Sequence, residues 1–216
     1  MRTIKIDRRR VGAGALAAAV AAVKAGQVVV FPTETAYGLA ADPANRRAVA
    51  SIFAIKGRSK EKQLPFIAAS PAQAEAFVRL GSAARALARR RWPGPLTIVA
   101  PVRAGVKLAG AAAGPTAAVR VPALAWARAL AAGLGRPVTS TSANLSGQPA
   151  VYSPRDIRRV FAGRRRQPDL FLDAGPLPRR RPSTIVRFKR GKIEILRPGP
   201  VEVKMERYED TKIRRK

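Results

Sequence analysis

A short apolar run that ends abruptly constrains this chain more than any other feature. The run is Val28-Val29-Val30-Phe31, which is typical of a strand buried on both faces, and Pro32 ends it because proline cannot donate to a neighbouring strand. Leu16, Val20 and Val23 precede it at helical spacing. A helix followed directly by a buried strand favours an α/β fold, in which the loops at strand ends bind ligands.

The alternation of apolar strands and amphipathic helices continues along the chain. Further strands are predicted at residues 64–68, 96–99, 117–121, 137–139, 170–173, 183–188 and 193–197. Helices are predicted after Asp42-Pro43, twice within 71–91, from Pro122 and from Ser153-Pro154. A hairpin between the last two strands, through Lys189–Lys192, makes the expected sheet a mixed one. With 216 residues and 47% apolar content, the chain predicts one compact domain.

Two residue types are missing, and their absence removes whole classes of chemistry. The chain has no cysteine and no histidine. Disulfides, thiolate or HExxH metal sites, and Ser-His-Asp or Cys-His catalysis are therefore excluded. Any catalysis must rest on cations, hydroxyls, carboxylates or a metal that the substrate holds, so we predict no metal site built by the protein.

The charge of the chain is strongly positive. Forty-two Lys and Arg oppose thirteen Asp and Glu, which gives a formal net charge of +29. The cations cluster in triplets at residues 8–10, 89–91, 164–166, 179–181 and 214–216. Two interpretations remain open: a nucleic-acid partner, or a solvated surface shaped by arginine bias. Few aromatic residues interleave with the triplets, which favours contacts with a phosphate backbone over stacking on bases.

The N-terminus resembles a secretion signal but predicts a helix. Three arginines at residues 8–10 precede an apolar stretch, yet the strand begins at Gln27 without room for a cleavage site. No apolar run reaches membrane-spanning length. We expect a cytoplasmic protein without a membrane partner.

Lys56 and Arg58 flank Gly57 where the second helix is predicted to end. Both side chains can reach one anion there, because glycine lets the backbone turn. The alternative is that two cations simply stabilise the negative end of the helix dipole. The sequence alone leaves both interpretations open.

Hydroxyls and one buried cation complete the candidate site. Thr35 follows the first strand, and the polar run Ser140–Gly147 follows a later one, so both stand at the strand ends where α/β sheets bind ligands. Both could equally form capping turns. Arg120 lies inside an apolar strand, where an unpaired charge is costly, so it is expected to face a carboxylate or the site.

Taken together, a series of ordered motifs resembles the YrdC-like threonylcarbamoyl-AMP synthase family over residues 15–200. The motifs are FPTETAYGL (31–39), KGR (56–58), WPGPLT (92–97), AVRVP (118–122), STSANLSG (140–147) and LRPG (196–199). The resemblance implies a single-domain, twisted, open, mixed α/β sheet flanked by helices, with a basic concave face. The domain would span residues 1–202, followed by a basic tail over 203–216.

The resemblance also assigns residues to roles. The catalytic set would be Lys56, Arg58, Ser142 and Asn144. Contacts with ATP would come from Arg58, Lys62, Ser142 and Arg197. Contacts with L-threonine would come from Thr35, Ile67, Arg120, Ser140 and Ser183, with Arg120 pairing the carboxylate. Some relatives carry a histidine in place of Ile67 and an asparagine in place of Lys62, which puts those individual contacts in question.

The implied reaction joins L-threonine, bicarbonate and ATP into L-threonylcarbamoyladenylate and releases pyrophosphate, with Mg²⁺ held by the phosphates. The product feeds threonylcarbamoyladenosine formation in tRNA through a downstream transferase. An alternative from another class is a non-catalytic paralogue that binds double-stranded RNA or the ribosome. A carbamoyl-transfer module like that of hydrogenase-maturation proteins lacks support, because the accessory regions of those proteins are missing.

Overall fold

The structure is a computed structural model that describes residues 1–59, 63–109, 114–189 and 192–203. Its helices are α1 (Ala13–Lys24), α2 (Arg46–Lys56), α3 (Pro71–Phe77), α4 (Ser82–Arg91), α5 (Ala125–Leu134) and α6 (Pro154–Phe161). Its strands are β1 (Arg2–Lys5), β2 (Val29–Pro32), β3 (Tyr37–Ala40), β4 (Phe66–Ile67), β5 (Leu96–Pro101), β6 (Thr116–Arg120), β7 (Val138–Thr139), β8 (Thr141–Ser142), β9 (Leu170–Asp173), β10 (Thr184–Lys189) and β11 (Lys192–Arg197).

The strands form two mixed sheets. The five-stranded sheet has the order β1-β9-β2-β3-β8, and the six-stranded sheet has the order β11-β10-β5-β6-β4-β7. Each sheet combines parallel and antiparallel pairs, as between β2 and its neighbours β9 and β3. The mixed α/β fold class expected from the sequence is thereby confirmed, with the strands divided between two sheets.

The central strands of the five-stranded sheet, β9, β2 and β3, are buried on both faces, which explains the apolar run of β2. Val30 points into a large core that also holds residues of the six-stranded sheet, such as Ile98. Val29 and Phe31 point the opposite way, against Trp126 of α5 and residues of α1. Alternate residues of one strand thus serve two cores, as the period of two in a strand requires.

The predicted elements are present, with shifted ends. The helix expected from Pro122 begins at Ala125 instead, because the Arg128 guanidinium donates to the carbonyls of Pro122 and Ala123. The strand expected over 64–68 is confined to β4. The hairpin prediction is confirmed by the antiparallel pairing of β10 and β11, although residues 190 and 191 lie outside the described residues.

Three strands were not predicted: β1, β3 and β8. Gly38 gives β3 the composition of a loop, yet a Cβ there would lie only 3.1 Å from the Phe31 ring and 3.3 Å from the Thr141 carbonyl oxygen. Glycine is therefore used for the close approach of neighbouring strands.

Two further predictions concern the C-terminal tail and the absence of a membrane-spanning segment. Most of the tail expected over 203–216 lies outside the described residues, so the domain boundary at 202 stays a prediction. None of the helices in the described ranges is long and apolar enough to cross a membrane.

Candidate active site

A cleft of about 370 Å³ opens where strands of both sheets end. The β2–β3 turn, the coil before β4, the β7–β8 segment and the coil before β10 all contribute to its wall. The sequence-predicted residues that line it are Thr35, Arg58, Ile67, Arg120, Ser140, Ser142, Ser183 and Arg197. Residues that lie far apart in the sequence are thus brought to one place.

The β2–β3 turn is built around the hydroxyl of Thr33. This hydroxyl donates to the Ala36 carbonyl at 2.7 Å and accepts from the backbone N–H groups of Thr35 and Ala36. It also lies 2.9 Å from the Thr35 hydroxyl. Thr33, and not Thr35, therefore makes the side-chain hydrogen bonds that form this turn. The Thr35 side chain lies half-buried on the cleft wall.

Arg120 does both things expected of it, because it pairs with a carboxylate and also lines the cleft. Its Nη1 lies 2.9 Å from Glu34 Oε1, and the two side chains are only 9% and 7% exposed. The second oxygen, Glu34 Oε2, is buried and has no hydrogen-bond partner. Burial lowers the pKa of Arg120, and the Glu34 charge opposes that shift. A nearly buried ion pair thus sets the electrostatics of the cleft floor.

Arg197 and Ser183 form a second polar group beside Arg120. The Arg197 guanidinium donates to the Ser183 carbonyl at 2.8 Å and to the Ser183 hydroxyl at 3.0 Å. That hydroxyl lies 2.8 Å from the Thr97 hydroxyl. Burial of the guanidinium and then the charge of Arg120 lower the pKa of Arg197. Within the described part of the chain, Arg197 has only neutral acceptors, so its charge remains available to an anion.

Arg58 reaches the cleft because α2 ends as predicted. Gly57 adopts a left-handed conformation with φ of 59°, and its N–H closes the helix onto the Phe53 carbonyl. Arg58 then donates to the Gln63 carbonyl at 3.0 Å, while its buried Nε has no partner. Burial lowers the pKa of Arg58. Lys62, the other predicted ATP contact in this segment, lies outside the described residues.

Lys56 and Asn144 are placed behind the cleft rather than in it. Lys56 is 3% exposed and Asn144 8% exposed, and neither is among the described residues that line the cleft. The Lys56 ammonium donates to the Ser142 carbonyl, to the Asn144 carbonyl at 2.7 Å and to Asn144 Oδ1 at 3.0 Å. Burial first, and then the charge of Arg58, lower the pKa of Lys56 to about 8. Lys56 thus ties the 140–148 loop to the end of α2.

Sequence reasoning missed several members of the cleft wall. They are Thr33, Tyr37, Gln63, Thr97, Tyr152, Arg180 and Ile185. Arg180 is exposed at the mouth and belongs to a triplet whose members look alike in sequence. Thr97 was within reach of sequence analysis, because it is the polar residue in an otherwise apolar strand. Among the described residues, the cleft wall therefore carries four arginines, Arg58, Arg120, Arg180 and Arg197, next to the carboxylate of Glu34.

Comparison with known proteins identifies the family. The Sua5/YciO/YrdC family model, described as "Telomere recombination", matches residues 21–199. The chain belongs to the Sua5/YciO/YrdC family. The matched range contains every predicted site residue, so the cleft is a feature of the family domain.

Relatives in this family agree with the resemblance found in the sequence. A threonylcarbamoyl-AMP synthase of Thiobacillus denitrificans is 39% identical over 174 residues, which cover 79% of this chain and 89% of that protein. The structure of P. abyssi Sua5 complexed with L-threonine matches with a TM-score of 0.83 at 33% identity, covering 92% of this chain and 58% of Sua5. This chain thus spans somewhat more than half of that Sua5 chain. E. coli YciO matches with a TM-score of 0.83 at 24% identity, which shows the common fold.

Proposed function

We propose that this protein is a threonylcarbamoyl-AMP synthase. It would make L-threonylcarbamoyladenylate, pyrophosphate and water from L-threonine, bicarbonate and ATP. The observation that carries the proposal is the cleft, where four arginines and several hydroxyls converge in a member of a family that includes threonylcarbamoyl-AMP synthases. Neither cysteine nor histidine is needed for such a reaction.

The charge of the cleft suits a nucleoside triphosphate. Arg58 and Arg197 lack a carboxylate partner among the described residues, so each can offer its charge to phosphate oxygens. Ser142 lies on the same wall. We assign these residues, with Lys62, to ATP, as the family resemblance implies.

A neighbouring part of the wall suits a small amino acid. Thr35, Ser140 and Ser183 supply hydroxyls, Ile67 supplies an apolar surface that is 1% exposed, and Arg120 supplies a cation for the carboxylate. Sua5 of P. abyssi has been solved with L-threonine bound. We assign L-threonine to this part of the cleft.

The proposed chemistry consists of two bond-forming steps. The threonine nitrogen attacks the carbon of bicarbonate, a C–N bond forms, and water leaves to give a carbamate. A carbamate oxygen then attacks the α-phosphorus of ATP, and the bond from that phosphorus to pyrophosphate breaks. Arginines fixed at the cleft wall stabilise the charge that develops on the phosphate oxygens, which is a matter of positioning and electrostatics.

Mg²⁺ would enter with its substrate. The phosphate oxygens of ATP would supply ligands for the ion, and the ion would neutralise part of their charge. Glu34, the carboxylate beside the cleft, is engaged by Arg120 at 2.9 Å. We therefore treat Mg²⁺ as part of the ATP substrate.

The proposal is tested by pyrophosphate release from ATP in the presence of bicarbonate. Release that requires L-threonine, and is weaker with L-serine or without an amino acid, is the expected result. Folded protein that releases no pyrophosphate under any of these conditions would contradict the proposal.

RNA and a downstream transferase are proposed as partners of the same protein. The net charge of +29 exceeds what solubility requires, and the exposed arginine triplets offer contacts to a phosphate backbone. A labile adenylate also requires an enzyme that accepts it, and we expect both steps to take place in the cytoplasm. The charge equally supports the alternative of a non-catalytic RNA-binding or ribosome-binding paralogue, which the pyrophosphate assay separates from the enzyme.

A further inference from the structure

Lys56 can act on a ligand in the cleft only through its neighbours. Its ammonium is buried, and its three N–H groups are all used, by two backbone carbonyls and by Asn144 Oδ1. Of these partners, Ser142 is the one whose side chain lines the cleft. The Ser146 N–H donates to the Lys56 carbonyl at 2.8 Å, so the loop is tied to the end of α2 from both sides.

This ammonium fixes the polarity of the whole network. An ammonium can only donate, so the atom of the Asn144 amide that faces Lys56 must be the oxygen. The same oxygen lies against the Ser142 hydroxyl, which must therefore be the donor in that contact. The Asn144 amide nitrogen donates in turn to the Gln148 carbonyl. The hydroxyl proton of Ser142 is thus committed to Asn144.

We propose that Lys56 is a positioning residue that acts through Asn144 to present the Ser142 hydroxyl to the substrate as a hydrogen-bond acceptor. The inference rests on the proposed function and refines it. An acceptor on this wall meets a donor group of ATP, such as a ribose hydroxyl. It does not donate to a phosphate oxygen, which leaves the phosphates to the arginines.

The network also makes the cleft sensitive to pH. Arg58 is the charged group that bears on Lys56, and its charge together with burial holds the pKa of Lys56 at about 8. Above that pH the amine has two N–H groups for three acceptors, so the orientation of Asn144 and Ser142 is released. We expect kcat/KM for ATP to fall as the pH rises through about 8.

A double-mutant cycle tests the proposal with Lys56→Met, Ser142→Ala and the double variant, using the Kd for ATP with Mg²⁺ from calorimetry. Each single change is expected to weaken binding about tenfold, as loss of one hydrogen bond to a substrate does. The double variant should be no weaker than the weaker single variant. Losses that multiply in the double variant would overturn the proposal.

A second measurement covers the case in which Lys56→Met fails to fold. In wild-type protein the pH profile of kcat/KM should show the loss above pH 8, and Ser142→Ala should lack it. An unchanged loss in Ser142→Ala would show that Lys56 does not act through this hydroxyl. Wild-type protein without any threonine-dependent pyrophosphate release would instead refute the proposed function, while the binding cycle would still test the coupling.

Discussion

At the scale of single residues, the positive charge of the cleft exceeds the negative charge of Glu34, the carboxylate beside it. Arg120 is paired with Glu34, whereas the partners of Arg197 and Arg58 among the described residues are neutral oxygens. Loss of hydration makes such charges costly to the folded protein, unless an anion replaces the stabilisation that water would provide. The polyanionic ligand proposed above would therefore offset this cost when it binds.

The role of Arg58 can be tested by removing its guanidinium. Arg58→Ala should lower kcat/KM for threonine-dependent pyrophosphate release by roughly 100-fold or more, because a fixed donor to developing charge is typically worth that much. Arg90→Ala is the matched control, since it removes an exposed arginine of α4 that does not line the cleft. Equal activity of the two variants would refute the assignment of Arg58.

Lys56 gives a stability prediction that does not depend on activity. The folded protein loses this proton at about pH 8, whereas the unfolded chain keeps it up to about 10.5. Between these values the unfolded state binds more protons, so wild-type stability should rise with pH relative to Lys56→Met. The full gain is roughly 3 kcal/mol at most. Urea unfolding of both proteins from pH 7.5 to 10.5 measures it, and a constant difference would contradict the burial of the charged amine.

Single residues also show how far a site can be predicted from sequence. Arg120 could be found because a charge inside an apolar strand needs a partner, and Thr35 and Ser142 because they follow strands. Arg180 could not, since nothing in the sequence separates one exposed arginine from many others. Lys56 was found for its position at the helix end, but its burial behind Ser142 follows from a loop 86 residues away.

At the scale of elements, the end of α2 organises the site. Gly57 stops the helix in a left-handed conformation, and the two residues beside it then diverge, Lys56 toward the loop behind the wall and Arg58 toward the cleft. Asn45 begins the same helix by accepting from the Ala48 N–H at 3.1 Å. The left-handed turn at Gly57 thus directs the two cations of the predicted site to different places.

Substitution of Gly57 tests this arrangement. Among the described residues, no heavy atom lies within 4 Å of a Cβ built at Gly57, so the expected cost of Gly57→Ala is that of the left-handed backbone, about 1 kcal/mol of unfolding free energy. Gly14→Ala is the control: its Cβ also meets open space, but the residue lies within α1, where alanine should stabilise by about 0.5–1 kcal/mol. Thermal unfolding of both variants should give opposite signs, and a matching sign would contradict the backbone argument.

Elements with strong local patterns were predictable, whereas β1, β3 and β8 were not. The apolar runs of β2 and β9 and the apolar spacing of α2 carry their structure locally. In contrast, β8 consists of two residues that pair with β3 through Gly38↔Ser142 and Leu39↔Thr141, contacts that no local window of sequence contains. The division into two sheets depends on such pairings, which is why a mixed sheet was predictable but its partition was not.

At the scale of the whole molecule, the excess positive charge extends beyond the cleft. Arg166 of one exposed triplet lines an outer groove together with Arg47 and Arg58, so this groove and the cleft share a residue. The triplet at 89–91 lies at the end of α4 and lines neither of them. If long-range electrostatic attraction alone held the RNA, the triplets at 164–166 and 89–91 would contribute equally. An RNA that is held near the cleft would instead contact the triplet at 164–166.

This difference leads to a measurable salt dependence. Binding of the protein to tRNA should weaken steeply with salt, by about 10³-fold or more between 50 and 200 mM for six or more phosphate contacts. Replacing the arginines at 164–166 by serine should lower the log–log slope by up to about 3, because each lost phosphate contact removes roughly 0.9. The same replacement at 89–91 should change the slope less if RNA lies along the outer groove. Equal slopes for both variants would mean that the charge acts diffusely, and a flat response in wild-type protein would remove RNA as a partner.

Threonine-dependent pyrophosphate release by the 164–166 variant should remain, since these arginines lie outside the cleft wall, and its loss would show that this triplet also serves the chemistry.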